Sequence, residues 1–241
     1  LRPAYLYPGV ESPLRDKQPG SIDILVFREN VEGEYANIGG RLYQQQSDEV
    51  AVQTSVFTRR GCERIIRAAF EKAGTRPKQH VTSITKSNAQ GYGMVLWDEV
   101  FTAVAADFPD IATDSLLIDA AVMEFVRRPE SFDVVVARNL FGDILTELGA
   151  IIIGSMGLAP SANIDPARKN LSMFEPVHGS APDITGQGIA NPLAAILSAA
   201  MMLEHLELPE SAAAVHRAVG NLLASDGPRT PDLGGEATTE E

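Results

Sequence analysis

Asp133-Val-Val-Val-Ala137, followed by Asn139-Leu-Phe-Gly-Asp-Ile-Leu-Thr-Glu147, decides the fold class. The valine run has the continuous apolar character of a strand covered on both faces of a sheet. The segment that follows, Phe141–Ile153, has the apolar spacing of a helix. Within it Asp143 and Glu147 stand four residues apart, a spacing that stacks two carboxylates on one helix face. Oxygen-only ligands on a rigid helix suit a hard divalent cation, Mg²⁺ or Mn²⁺. Asp119, just after the apolar run Leu116-Leu-Ile118, can complete such a site. Spacing alone fits an acidic helix turn that only complements the helix dipole and binds nothing; the neighbouring motifs favour the metal.

Outward from this stretch, strands and helices alternate. Ile22–Phe27, Val50–Val56, His80–Thr85 and Leu116–Ile118 read as strands. Thr58–Ala73 reads as a helix with Thr58 as N-cap, and Trp97–Phe108 and the segment through Val126 as further helices. Pro192–Leu206 and Pro209–Ala224 are helices opened by a proline in the tolerated first turn. The alternation predicts an α/β layered fold. Gly154-Ser-Met-Gly-Leu-Ala-Pro160 breaks the regularity and is the candidate domain boundary, separating residues 1–153 from 154–241. At the far end, Thr238 or Thr239 can cap a helix whose first turn holds the following acids; a tail is the alternative.

The 241 residues are 44% hydrophobic, enough for a sizeable core in one large domain or two smaller ones. A net charge of −12 argues against nucleic acid and against an anionic membrane surface as partners. It leaves anionic small substrates open, because local arginines override the global sign. The single cysteine, Cys62, excludes an intrachain disulfide and a cysteine-based zinc site, and its place in a helical pattern predicts a buried, inert thiol. No stretch has the length of a membrane span, and no leader peptide is recognisable; a cytoplasmic protein is the expectation.

Three further clusters carry chemistry. Phe27-Arg-Glu-Asn-Val-Glu-Gly-Glu-Tyr35 leaves a strand and enters a glycine-containing loop. There Arg28 offers a planar fork for a carboxylate and Tyr35 a phenolic proton, although an Arg28 pair with Glu29 or Glu32 explains the same residues. Thr82-Ser-Ile-Thr-Lys-Ser-Asn88 places Lys86 at a strand end, as a base if a metal lies near and as a solvated surface lysine otherwise. Met173-Phe-Glu-Pro-Val-His-Gly-Ser-Ala-Pro-Asp183 ends in a proline- and glycine-rich loop. His178 can face an adenine ring, Gly179, Ser180 and Ala181 can present N–H groups, and Asp183 can hold a ribose diol and repel a 2′-phosphate. Asn191 can read the adenine edge. A rigid loop without a ligand is the alternative, and there is no Gly-x-Gly-x-x-Gly fingerprint.

These clusters, in this order, resemble the β-decarboxylating dehydrogenases, the isocitrate/isopropylmalate dehydrogenase family. The most specific parts are Asn139–Leu145, Phe174–Asp183 and Ile189-Ala-Asn-Pro192. Arg28–Tyr35, Gly39-Gly40, Ser55–Gly61, Lys86-Ser-Asn88 and Trp97-Asp98 resemble the tartrate/D-malate branch. The resemblance implies an isopropylmalate-dehydrogenase-like two-domain α/β fold with a parallel or mixed central sheet. Residues 1–153 would be the substrate, metal and dimerisation domain, and 154–241 part of the NAD-binding domain. It implies that Arg2 and Arg28 clamp substrate carboxylates, Tyr35 is the general acid, Lys86 the general base, and Asp119, Asp143 and Glu147 the metal ligands. His178, Gly179, Ser180, Ala181, Asp183 and Asn191 would bind NAD. The family's lysine and first aspartate come from a partner subunit, so a homodimer with shared sites is implied.

Two departures stand out. Glu147 replaces the family's aspartate, and its extra methylene moves the carboxylate by roughly 1.5 Å when extended. The family's opening segment, with a further substrate arginine, has no counterpart, and its last helix is cut, so the N-terminal part of the fold is expected to be incomplete. A piece lacking these parts is expected to be inactive and to aggregate through exposed edges. The implied reaction is NAD- and metal-dependent oxidative decarboxylation of D-malate or tartrate. The alternatives are a 3-isopropylmalate dehydrogenase and, in another class, a non-catalytic regulatory subunit.

Overall fold

The computed structural model describes residues 1–241. In chain order the elements are β1 (Arg2–Tyr5), β2 (Asp23–Arg28), β3 (Gly33–Leu42), β4 (Val50–Val56), α1 (Arg59–Ala73), β5 (His80–Thr85) and α2 (Gly93–Ala105). They continue with β6 (Ala112–Leu117), α3 (Ile118–Arg127), β7 (Val134–Ala137), α4 (Asn139–Ile152), β8 (Pro160–Asn163), β9 (Met173–Pro176), α5 (Leu193–His205) and α6 (Pro209–Ala224). The expected α/β fold is present, and its central sheet is mixed: the strand order is β1-β2-β7-β5-β6, with β1–β2 antiparallel and β7–β5–β6 parallel. No helix is long and apolar enough to cross a membrane.

The chain folds into two compact units that interleave in sequence. One holds Leu1–Val26, Val122–Phe132 and Leu145–Glu241; the other holds Phe27–Ala121 and Asp133–Ile144. Gly154 lies inside the first of these.

The second unit is built on the parallel strands. Every residue of β7 is buried, as its valine run requires. Asp133, immediately before it, is buried and ion-paired with Arg76, and accepts the backbone N–H of His80 at 3.2 Å. That contact fastens the start of β5 beside β7. α1 shows why its sequence is helical. Thr58 accepts the N–H of Gly61 at 3.0 Å as the expected N-cap. Cys62, Ile66, Ala69, Phe70 and Ala73 make its buried stripe. Phe70 packs on Phe101 and Phe108, with centroids 5.4 and 5.2 Å away. The buried Trp97 of α2 donates to Ser83 of β5 at 3.0 Å, satisfying its only polar atom. β3 and β4 form a separate antiparallel ribbon, paired from Ile38↔Thr54 to Leu42↔Val50.

In the first unit, α5 buries Leu193, Ala194, Leu197, Ala200 and Met201, and its Ser198 accepts the N–H of Ser161 in β8. β8 and β9 pair antiparallel from Pro160↔Pro176 to Asn163↔Met173. Phe125 packs against Phe132 with ring centroids 4.6 Å apart and planes tilted by 54°.

Several boundaries differ from those the sequence predicts. α2 begins at Gly93 rather than Trp97, and α4 at Asn139 rather than Phe141. Pro192 is the residue before α5, not its first turn, whereas Pro209 does open α6. The sequence predicts a loop after Phe27 through Tyr35, whereas Gly33, Glu34 and Tyr35 are the first residues of β3. At the C-terminal end no helix forms; Thr238 N–H and Oγ1 both donate to Glu241, at 2.9 and 3.0 Å, and no backbone N–H is accepted by the threonine hydroxyl as a cap would require.

Candidate active site

The end of β2 and the start of β3 meet the first turn of α4. Arg28, the last residue of β2, donates from Nε and Nη2 to Asn139 Oδ1 at 3.0 and 2.7 Å, and its Nη1 pairs with Asp143. Tyr35 donates its hydroxyl to the other oxygen of Asp143 at 2.9 Å. The Arg28 guanidinium also lies over the Tyr35 ring, 5.6 Å from its centroid. Asn139 closes the group by donating to the Glu32 carbonyl at 2.9 Å. Gly142 makes this approach possible: a Cβ there would sit 2.7 Å from the Arg28 side chain. The sequence alternative, an Arg28 pair with Glu29 or Glu32, does not occur. Glu29 is taken by Arg64 at 2.8 Å and by the N–H groups of Val31 and Glu32, and Glu32 accepts from Thr58 at the head of α1.

Lys86, one residue past β5, donates to Asp119 Oδ1 at 2.8 Å. Asp119 stands in the first turn of α3, and the Lys86 hydrogen bond holds its carboxyl below the usual carboxylate range. The lysine side chain is 25% exposed and the aspartate 64%, so the carboxylate faces outward from the chain.

Arg2 donates to Thr146 Oγ1 at 2.7 Å. Glu147 is exposed and makes no hydrogen bond or ion pair. Asp143 and Glu147 share α4 one turn apart, as the sequence predicts, and offer the oxygen-only donors a hard divalent ion takes. No three His, Cys, Asp or Glu side chains gather within the chain, so it brings together Arg28, Tyr35 and Asp143, and separately Lys86 and Asp119, but not the three carboxylates.

The loop from His178 to Asn191 is largely exposed. Ala181 holds a left-handed φ of 43° ahead of a 3₁₀ turn at Pro182–Ile184, whose Asp183 carboxylate makes no hydrogen bond. A Cβ on Gly179 would meet nothing within 4 Å, so packing within the chain gives no reason for glycine there. His178 Nδ1 lies 3.0 Å from the Gly179 carbonyl. The Asn191 side chain is committed elsewhere: it donates to Asp232 at 2.9 Å and accepts the Leu193 N–H at 2.9 Å. Thr239 steadies the loop, donating to the carbonyls of Gly188 and Ala190 at 2.7 and 2.6 Å.

Sequence reading missed two contributors beside Tyr35. One is Asn139: an asparagine opening a helix after a strand signals a side chain free to bond backward. Arg138 drew no attention, yet a lone arginine between an apolar strand and an apolar helix must find a buried counter-charge. It finds Glu34.

The model of the family described as isocitrate/isopropylmalate dehydrogenase matches residues 1–241. D-malate dehydrogenase [decarboxylating] from Escherichia coli (strain K12) is 51% identical over 246 residues, covering 100% of this chain and 68% of that protein. A probable tartrate dehydrogenase/decarboxylase from Bacillus subtilis (strain 168) is 52% identical over 241 residues, covering 100% and 67%. The crystal structure of isocitrate dehydrogenase from Methylococcus capsulatus superposes with a TM-score of 0.91 at 39% identity, over 99% of this chain and 69% of that one. The chain thus spans about two thirds of the length of these relatives.

Proposed function

Because this chain belongs to the isocitrate/isopropylmalate dehydrogenase family over its whole length, as an enzyme acting on CH–OH donors, we propose that it oxidatively decarboxylates D-malate or tartrate with NAD and Mg²⁺ or Mn²⁺. The observation that carries this reading is the joint hold of Arg28 and Tyr35 on Asp143. It puts a cationic fork, a phenolic proton and a hard oxygen ligand at one point.

When bound, the divalent ion would supply Lewis acidity at the substrate oxygens, and NAD⁺ would supply the hydride acceptor. The chain's own groups do the rest. Arg28 and Arg2 hold the substrate carboxylates. Lys86 takes the hydroxyl proton as C2 is oxidised. After CO₂ leaves, Tyr35 gives its phenolic proton to C3. For D-malate the balance is D-malate and NAD⁺ to pyruvate, CO₂ and NADH. Asp143, Glu147 and Asp119 would hold the ion. His178, Gly179, Ser180, Ala181, Asp183 and the Asn191 backbone would hold the adenosine, with Asp183 favouring NAD over its 2′-phosphorylated form. On this reading residues 1–153 carry substrate, metal and dimer contacts and 154–241 carry NAD.

The same reading includes a homodimer that shares its sites. The exposed Asp119 carboxylate, paired with Lys86, supports it as a group available to a second copy. Two surfaces support that copy. The β3–β4 ribbon exposes Ile38, Leu42 and Val52, and a lone two-stranded ribbon is marginal in water. α4 exposes Ile144 and Ile151 on either side of Glu147.

The test is NADH formation from D-malate, L-tartrate and 3-isopropylmalate, with Mn²⁺ and then with chelator. Chelator-sensitive turnover of D-malate or L-tartrate is expected. Turnover of 3-isopropylmalate alone, or NAD binding without any turnover, would overturn the reading.

A further inference from the structure

Arg138 is 2% exposed, and its guanidinium sits on the Phe141 ring at 3.7 Å and near the Phe57 ring at 5.6 Å. Burial lowers its pKa to about 10. Its counter-charge is Glu34, itself only 20% exposed. Neither group has a second polar partner: the Nη1 contact to Glu34 is an ion pair without hydrogen-bond geometry, and Nε of Arg138 and Oε2 of Glu34 are buried without a hydrogen bond. Each charge therefore depends on the other.

The place of this pair is what matters. Glu34 is the residue before Tyr35 on β3, and Arg138 is the residue before Asn139 at the head of α4. The 28–35 segment is gripped by α4 at Arg28, at the Glu32 carbonyl, at Glu34 and at Tyr35. Two of these grips, Arg28 and Tyr35, end on Asp143, a carboxylate that the proposed reaction assigns to the metal. A carboxylate claimed by a cation holds its other partners less firmly. The Glu34–Arg138 contact uses none of Asp143, so it persists whichever partner that carboxylate has.

We propose that Arg138, through Glu34, is a positioning residue that fixes Tyr35 against α4 independently of Asp143. Arg138 touches no reacting atom in this account. Its two aromatic neighbours exclude water and fix the guanidinium plane, and the ion pair transmits that fixed position to the strand carrying the phenol.

The proposal rests on Tyr35 as the proton donor, so its test has two independent readouts. The first is steady-state kinetics with D-malate on Arg138→Met, Glu34→Gln, Arg138→Lys and the Glu34→Gln/Arg138→Met double variant, with kcat taken per NAD-binding site. The second is the ¹⁹F signal of 3-fluorotyrosine at position 35, recorded without substrate. Arg138→Met and Glu34→Gln should each lower kcat roughly tenfold, part of what a well-placed acid supplies, while KM for D-malate stays near its starting value. Both should shift and broaden the ¹⁹F line. The double variant should be no worse than the poorer single one, because the two residues act as a unit. Arg138→Lys, which keeps the charge but not the planar fork, should recover kcat to within roughly threefold. Glu34→Gln preserves shape and carries the test alone if Arg138→Met does not fold. A folded Glu34→Gln protein with unchanged kcat and an unmoved ¹⁹F line overturns the proposal. Absence of turnover in the unmodified protein would instead defeat the reaction assigned to the site, and the ¹⁹F comparison would still decide the positioning role.

Discussion

Tyr35 donates its phenolic hydrogen to Oδ2 of Asp143 at 2.9 Å, across 108 residues of chain. On the proposed reading a proton donor and a metal ligand thus meet on one carboxylate, and the donor stands on an exposed strand rather than in the core. The consequences for catalysis and for stability therefore separate cleanly at this residue.

Tyr35→Phe removes one hydroxyl from a side chain that is 54% exposed. It should lower kcat about 100-fold or more, as expected for loss of a positioned acid, and shift the thermal midpoint little. Paired kinetics and thermal melts check this. A variant with undiminished turnover would remove Tyr35 from the chemistry.

Glu147 has no partner in the chain, so its truncation leaves no orphaned charge. Glu147→Ala should leave the fold intact and raise the Mn²⁺ concentration needed for half-maximal turnover roughly tenfold, the scale on which a changed metal environment acts. A Mn²⁺ titration of activity measures it. An unchanged midpoint would show that this carboxylate does not face the ion.

Asp133 is a structural charge, 1% exposed, satisfied by Arg76 and by the His80 N–H. Asp133→Ala removes a buried carboxylate from Arg76 and from the His80 N–H and should cost about 3 kcal/mol, the usual loss on breaking a buried pair. Urea denaturation gives the value. A loss below about 1 kcal/mol, typical of an exposed pair, would contradict the role assigned to it.

Cys62 carries a thiol pushed up to about 11 by burial, with Glu32 and Glu29 nearby acting in the same direction. In the folded protein the neutral form is favoured, so this stabilisation is fully present below pH 9, where the unfolded thiol begins to ionise, and is lost as pH rises through 11. Stability should fall over that window, and less steeply in Cys62→Ala. Native protein should resist iodoacetamide at neutral pH and react once unfolded. Rapid alkylation of the native protein would contradict the burial.

Strong local signals in the sequence carried well. The valine run of β7, the strand His80–Thr85, the Thr58 cap of α1 and the Pro209 start of α6 stand where their residues put them. β3 did not announce itself, because Gly39 and Gly40 interrupt it and most of it faces solvent, leaving no alternation to read. Its existence depends on pairing with β4. The pairing of Arg28 with Asp143 spans 115 residues and was hidden for the same reason: adjacency in sequence favoured Glu29 and Glu32, which the fold spends on Arg64 and on the head of α1. The Asp143–Glu147 spacing was legible because a helix fixes it; the place of Asp119 was not, because nothing local does.

The central claim is that Arg28, Tyr35 and Asp143 of one copy work with Lys86 and Asp119 of another. Inactive Lys86→Met and Asp143→Asn proteins, unfolded together and refolded as a mixture, test it directly. Random pairing into two-fold dimers places both defects in one site of each mixed dimer and leaves the other intact, so roughly a quarter of full activity should return. No recovery from the mixture, with mixed dimers verified by mass, would show that each chain completes its own site and would contradict the account.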